Sequence, residues 1–167
     1  MLDTRTASDV VRCLYDAYNS QDVDAAIACW REGGTEFWPM TGVVTAKKDL
    51  HAHLTSFYAS FPDSTIVCHE MIAVDDKVAT QVTLSGTFSG APFQGFRANG
   101  RHWETKMAEI FTITDSLIDH LDVHWDFVAV AEQIGFLPPM DSRAGKFFRG
   151  AFNARVRAGE LLRRPRA

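Results

Sequence analysis

From the N-terminus the chain first repeats apolar residues at helical spacing and then changes to alternation. Val10, Val11, Leu14, Tyr15 and Tyr18 form one stripe across residues 7–20, opened by Thr6 or Ser8 as cap. A short second helix is expected from Asp22, ending before Gly33-Gly34. Residues 35–44 read as a brief strand broken by Pro39. Thr45 is then placed to cap a third helix with Leu50, Leu54, Phe57, Tyr58 and Phe61 as its buried face, and Pro62 stops it. Beyond Pro62 the period falls to two. Strands are predicted over 64–74, 77–88, 101–114 and 117–127, separated by Asp75-Asp76, a Gly-rich loop and Asp115-Ser116. A short helix over 128–135 follows. Helices succeeded by a run of antiparallel strands predict an α+β fold, with helices covering one face of a curved sheet.

The last strand carries the most chemistry. Its odd positions, Leu121, Val123, Trp125 and Phe127, are apolar, while the even positions His120, Asp122, His124 and Asp126 are all ionisable. Side chains alternate faces on a strand, so one face is apolar and the other is a column of titratable groups. Two arrangements satisfy this pattern. Either the odd face meets the core and the even face meets water, or the even face lines a polar pocket and a second subunit covers the apolar side.

Length and composition narrow the picture. The 167 residues suffice for one domain, and 46% hydrophobic with 23% charged residues is the balance of a globular protein. No apolar run is long enough to span a bilayer, and the first residues lack the apolar stretch of a signal peptide, so a cytoplasmic protein is expected. Cys13, Cys29 and Cys68 have no metal-binding spacing and read as reduced thiols. The net charge of −4 is uneven: residues 143–167 carry +7, which leaves −11 on the rest. Phe148, Phe152 and Val156, with Phe147 and Ala151, recur in that basic tail at helical spacing. A helix packed on its own body or on a partner subunit is therefore expected, with no nucleic-acid and no membrane role. Residues 1–140 are read as the main domain and 141–167 as its helical extension.

The stretch from Phe61 to Gly135 resembles the SnoaL-like polyketide cyclases of the NTF2-like superfamily. The resemblance rests on Phe61-Pro62-Asp63 after an aromatic helix and on the run from Asp75 to Gly90. It continues through Asn99-Gly100-Arg101 to Gln133-Ile134-Gly135, followed by Phe136-Leu137-Pro138. It implies a cone of N-terminal helices on a curved, mostly antiparallel sheet. In the family pattern an Asp seven residues before the Gln is the acid/base, and Asp126 holds that place. Where the family has Trp and Glu on the same strand, this chain has Asp122 and His120. The resemblance further implies a cofactor-free enzyme acting on a hydrophobic polycyclic or polyketide-like small molecule by aldol-type ring closure, in a homodimer or larger homo-oligomer.

On these grounds Asp126 is the expected acid/base, with His124 beside it. The expected substrate-binding residues are Trp38, His120, Asp122, Met107, Glu109 and Phe57, and no metal is expected. Glu109 lies on the strand before and faces either the pocket or water. The triplet His120-x-Asp122-x-His124 has two imidazoles on one face but no obvious third ligand. The loop from Thr87 to Arg101 reads as a lid or as an ordinary long hairpin loop. Three alternatives stand beside the cyclase. They are an isomerase, a cofactor-free hydroxylase or epoxide hydrolase, and a non-catalytic ligand-binding protein. The ketosteroid isomerase pattern would put its base at Trp38 and its oxyanion Tyr at Leu14, so both roles are missing there.

Overall fold

The computed structural model describes residues 5–38 and 42–163, and the side chains of these except at 38 and 160–163. Its elements are α1 (Ala7–Ser20), α2 (Val23–Ala28), β1 (Trp30–Trp38), β2 (Gly42–Thr45), α3 (Leu50–Ser60), β3 (Thr65–Val74), β4 (Lys77–Thr87), β5 (His102–Thr114), β6 (Leu117–Trp125), α4 (Phe127–Gln133) and α5 (Arg143–Arg163). The order is that of an α+β fold. One six-stranded sheet runs β2-β1-β6-β5-β4-β3. All pairings are antiparallel except β1 with β6.

Local chemistry explains where the elements begin. Thr6 and Asp9 form a reciprocal capping box at the start of α1, and Asp22 caps α2 through the Ala25 N–H. Two boundaries differ from expectation. Thr45 does not cap α3: its carbonyl accepts the Asp49 N–H at 2.8 Å, closing a turn, and the helix starts at Leu50. The early strand is longer than the Gly33-Gly34 pair suggested, because β1 begins at Trp30 and runs through both glycines. A Cβ at Gly34 would lie 2.9 Å from the Ile118 carbonyl oxygen, so only glycine lets β1 close onto β6 there.

Period two sets which side of the sheet is covered. On β4, Val78, Thr80, Val82 and Leu84 are buried; on β5, Trp103, Thr105, Met107, Glu109, Phe111 and Ile113 are. These residues pair across the ladder, Thr80 with Glu109 and Val82 with Met107. On β6 the buried residues are Ile118, Leu121 and Val123. A register shift between Thr112 and Ile113 brings Ile118 onto the covered face; from His120 onward the odd positions face the helices, and His120, Asp122 and His124 face away. The pocket-lining arrangement expected for that ionisable column is not the one formed.

Residues that carried the family resemblance turn out to fasten the shell. The Asp63 carboxylate accepts the Thr87 N–H and hydroxyl, both at 2.6 Å, tying the end of α3 to β4. The Asn99 side chain donates to the Ile134 carbonyl at 2.7 Å. Gln133 accepts from the Glu104 N–H and donates to the Glu104 carbonyl, so α4 is docked on the edge of β5. The long loop is held at its other end by Gly90 and Ala91, whose N–H groups donate to the Ser60 and Ala59 carbonyls.

The C-terminal helix behaves differently. Phe147 is 80% exposed, and Phe148, Phe152 and Val156 are exposed as well, so the apolar stripe of α5 does not pack on its own body. Of the two covers expected for it, the first, its own body, is not formed. No helix among the described residues is long and apolar enough to cross a membrane.

The contact at Gly90 gives a direct test of the shell. A Cβ there would sit 2.0 Å from the Ala59 carbonyl oxygen, backbone against backbone. Gly90→Ala is expected to destabilise the fold by about 1–3 kcal/mol, the usual cost of overpacking. Urea denaturation of both proteins would measure this; an unchanged midpoint would show that the loop is not clamped to α3.

Candidate functional site

The covered face of the sheet is apolar apart from a few residues, and those few are grouped. Glu109 on β5 is 3% exposed and points toward α1. Tyr15, on the buried stripe of α1, donates its hydroxyl to Glu109 Oε2 at 2.5 Å and lies 2.7 Å from Thr80 Oγ1. The Thr80 hydroxyl stands 3.5 Å from the same Glu109 oxygen. A second carboxylate, Glu36 on β1, is buried one row away, paired in register with Leu121. Tyr18 and Tyr58 lie near it, since its charge contributes to the raised pKa of both phenols.

Burial governs the electrostatics. It pushes the Glu109 carboxyl up from its ordinary 4.5 to about 7, against the hydrogen bonds from Tyr15 and Thr80, which lower it. Burial raises Tyr15, Tyr18 and Tyr58 well above the ordinary phenol value, with neighbouring carboxylate charge adding to the effect. Burial also holds the His53 imidazole below its ordinary value.

Two neighbouring spaces lie over this face. The outer one is a cavity of about 400 Å³ between α3, α4, the long loop and the ends of β5 and β6. That volume falls in the range of roughly 300–1,000 Å³ usual for small-molecule sites. Its walls are largely aromatic: Phe57, Phe61 and Trp103 stack edge-on or tilted against each other, and Phe96 lies flat on Phe136 at 4.0 Å. The inner space is a chamber of about 40 Å³ lined by Tyr18, Glu36, Tyr58 and Glu109 among others. His53, Phe57 and Leu84 belong to both walls, so the chamber, where two carboxyls and two phenols meet apolar side chains, adjoins the apolar cavity.

Of the residues singled out from the sequence, Phe57, Met107 and Glu109 are brought together here. His120, Asp122 and His124 are not, because they sit on the far face. His120 Nδ1 lies 2.7 Å from the Thr35 hydroxyl and its Nε2 lies 3.3 Å from Asp122, while His124 is exposed. Asp126 is exposed and accepts the Ala129 N–H at 2.9 Å as the N-cap of α4, whereas its neighbours Trp125 and Phe127 line the outer cavity. The side chain expected of Trp38 as a wall lies outside those described. The Thr87–Arg101 loop supplies walls: Phe88 is fully buried, and Phe93 and Phe96 exchange both backbone hydrogen bonds at the cavity rim. Among the described residues no three His, Cys, Asp or Glu side chains are grouped to hold a metal ion.

Sequence reading passed over Glu36, Tyr15, Tyr18, Thr80 and His53 as site residues. For Tyr15 and Tyr18 the helical stripe pointed only to burial. A sharper signal existed for Glu109: it stands in the phase of Trp103, Met107 and Phe111, so the alternation itself puts a carboxyl on the covered face.

Comparison with known proteins was informative at the level of the family. Residues 8–134 match the SnoaL-like polyketide cyclase family. No match was found among curated proteins. The fold is similar to a candidate SnoaL-like polyketide cyclase from Jannaschia sp. CCS1, with 20% identity over 79% of this chain and 93% of that one, at a TM-score of 0.70. IdmH, a candidate polyketide cyclase from Streptomyces antibioticus, is 24% identical over 78% of this chain and 99% of its own, with a TM-score of 0.64. AclR, a candidate hydroxylase from Streptomyces galilaeus, is 18% identical over 79% and 97%, with a TM-score of 0.69.

The elevated Glu109 pKa has a consequence for stability. Between about pH 4.5 and 7 the folded chain keeps a proton that the unfolded chain has lost, so stability falls as pH rises through that window. Above it, keeping the ionised carboxyl buried costs about 3 kcal/mol, from 1.36 kcal/mol per pKa unit. Glu109→Gln is expected to flatten this pH dependence and to be more stable than wild type at pH 8, read by urea denaturation at pH 5 and 8. Parallel pH profiles for the two proteins would refute the assignment.

Proposed function

We propose, since this chain belongs to the SnoaL-like polyketide cyclase family, that it is a small-molecule enzyme in which Glu109 moves the proton. The observation that carries this reading is a carboxyl held near neutrality in a small chamber that adjoins an apolar cavity. A group with a pKa near the working pH both takes and returns a proton efficiently. The ligand is a hydrophobic, polyketide-like carbonyl compound whose ring portion occupies the aromatic outer cavity. The ionised Glu109 carboxylate removes a C–H proton next to a carbonyl, leaving an enolate. The enolate carbon attacks a second carbonyl of the same molecule, forming the C–C bond, and the resulting alkoxide takes the proton back from Glu109. Holding a flexible chain folded within a shaped cavity lowers the entropic part of the barrier.

Asp126, the residue that occupies the family's acid/base position, supplies the second reading. It is favoured by its place between Trp125 and Phe127, two walls of the outer cavity. Against it stand its exposure and its engagement at the head of α4. A kinetic comparison on a polyketone or enone panel separates the two. Glu109→Gln is expected to lower kcat by about 10²–10⁴-fold and to abolish the rise in rate through about pH 7. Asp126→Asn is expected to change kcat little. The reverse outcome would transfer the role to Asp126, and a wild type inert to the whole panel would favour a binding-only protein.

The expected self-association is proposed through α5 rather than through the sheet. Its exposed Phe147, Phe148 and Phe152 are interleaved with Arg143, Lys146, Arg149, Arg155 and Arg157, whereas residues before 143 carry −11. A second copy of the chain offers the opposite charge to that helix. Light scattering after size exclusion is expected to give a dimer for wild type and a monomer for Phe147→Ser with Phe152→Ser. A monomeric wild type would end this part of the proposal.

A further inference from the structure

Tyr15 and Tyr18 lie three residues apart on α1 and reach the same part of the covered face. The Tyr15 hydroxyl is taken up by Glu109 and Thr80. The Tyr18 hydroxyl is buried, lines the inner chamber, and has no hydrogen-bond partner among the described residues. A buried hydroxyl left unsatisfied is costly, so a donor stranded in a chamber beside a cavity calls for an occupant.

The size and lining of the chamber restrict what that occupant is. About 40 Å³ accommodates a few water-sized positions but not a ring. The aromatic cavity next to it, ten times larger, shares the walls His53, Phe57 and Leu84. A single molecule reaching from the one into the other would be apolar, with one small polar tip at Tyr18. Burial and the nearby Glu36 and Glu109 keep the Tyr18 phenol protonated, so its hydroxyl is a donor and the tip must accept.

We propose that the inner chamber is a subsite for the carbonyl oxygen of an otherwise apolar ligand, and that the Tyr18 hydroxyl donates the hydrogen bond that holds it. This rests on reading the outer cavity as a small-molecule site. The same bond strengthens as a carbonyl becomes an enolate, because charge gathers on that oxygen in a water-poor setting. Tyr18 would then orient the carbonyl while Glu109, lining the same chamber, reaches the adjacent C–H. The carbonyl end of the substrate enters first and the ring system stays outside.

Two probes of like shape test it on the full chain: 2-acetonaphthone, which has a carbonyl, and 2-isopropylnaphthalene, which has none. Fluorescence titration is expected to show both binding wild type. Tyr18→Phe should weaken the ketone about tenfold, consistent with one net hydrogen bond, and leave the hydrocarbon unchanged. Thermal melting should find that variant at least as stable as wild type, since it removes a stranded hydroxyl. Independently of any variant, the infrared carbonyl stretch of the ketone labelled with carbon-13 should move to lower frequency on wild type than in cyclohexane. Ketone affinity indifferent to the substitution, or a bound stretch equal to that in cyclohexane, would overturn the Tyr18 subsite while leaving the cavity as a ligand site. Failure of both probes to bind wild type would overturn the cavity reading and the subsite with it.

Discussion

The hydrogen bond from Tyr15 to Glu109 is the constraint around which the covered face is organised. A carboxyl among Met107, Phe111 and Val123 is expensive to bury, and the cost is contained in two ways. A hydroxyl from α1 and another from β4 reach the same oxygen, and burial raises the pKa so that the neutral form is well populated near pH 7. Both devices require α1 to lie across β4 and β5 with Tyr15 turned inward. The capping box at Thr6 starts that helix, and its buried stripe Val10, Val11 and Leu14 fixes its rotation. Rotating the helix by one residue would leave Glu109 without its phenol. The placement of α1 is thus set jointly by apolar packing and by one polar contact.

From that contact outward the molecule separates into a polar end and an apolar shell. Tyrosines and carboxylates gather at the inner end, whereas phenylalanines and tryptophans line the wider cavity. The shell is held by side chain to backbone hydrogen bonds at its corners: Asp63 onto Thr87, Asn99 onto Ile134, and Gln133 onto Glu104. These three residues belong to the segments through which the chain resembles its family. Their geometry accounts for that resemblance as the means of closing a cavity, which is compatible with different chemistries inside it. The similarity in fold to both candidate cyclases and a candidate hydroxylase agrees with this.

Much of the fold was legible because period and punctuation agreed. Residues 7–20 form the first helix as predicted, and the four strands after Pro62 fall within a residue or two of their expected bounds. The sequence was less clear where tertiary contact overrides a local signal. Gly33-Gly34 reads as a terminator, yet Gly34 lets two strands approach closely. On β6 an alternating strand declares two faces without saying which is inside. The register with β5 decides that: Val123 lies opposite Glu109, and Leu121 opposite Phe111. Glu109, Met107 and Phe57, expected at the site, do line the inner chamber, whereas the tyrosines were read only as buried. A phenol in an apolar helical stripe looks like core until the partner of its hydroxyl is known.

The position of proton-transfer chemistry in such a fold follows from what water does to it. A carboxylate at the head of α4, exposed and bonded to a backbone N–H, is solvated before and after any proton moves, so solvent competes with the substrate for its proton. In the proposed reading, a carboxyl walled off by Tyr15, Thr80 and the sheet would meet only what enters the chamber. The chamber is too small for more than the tip of a molecule, so the proposed reading separates selection for shape, in the aromatic cavity, from selection for the functional group, in the chamber. Changing the outer aromatic residues should therefore alter which ring systems are accepted with little effect on the reaction. Such a separation would give one fold a physical route to new substrates without new chemistry, or to new chemistry without a new cavity.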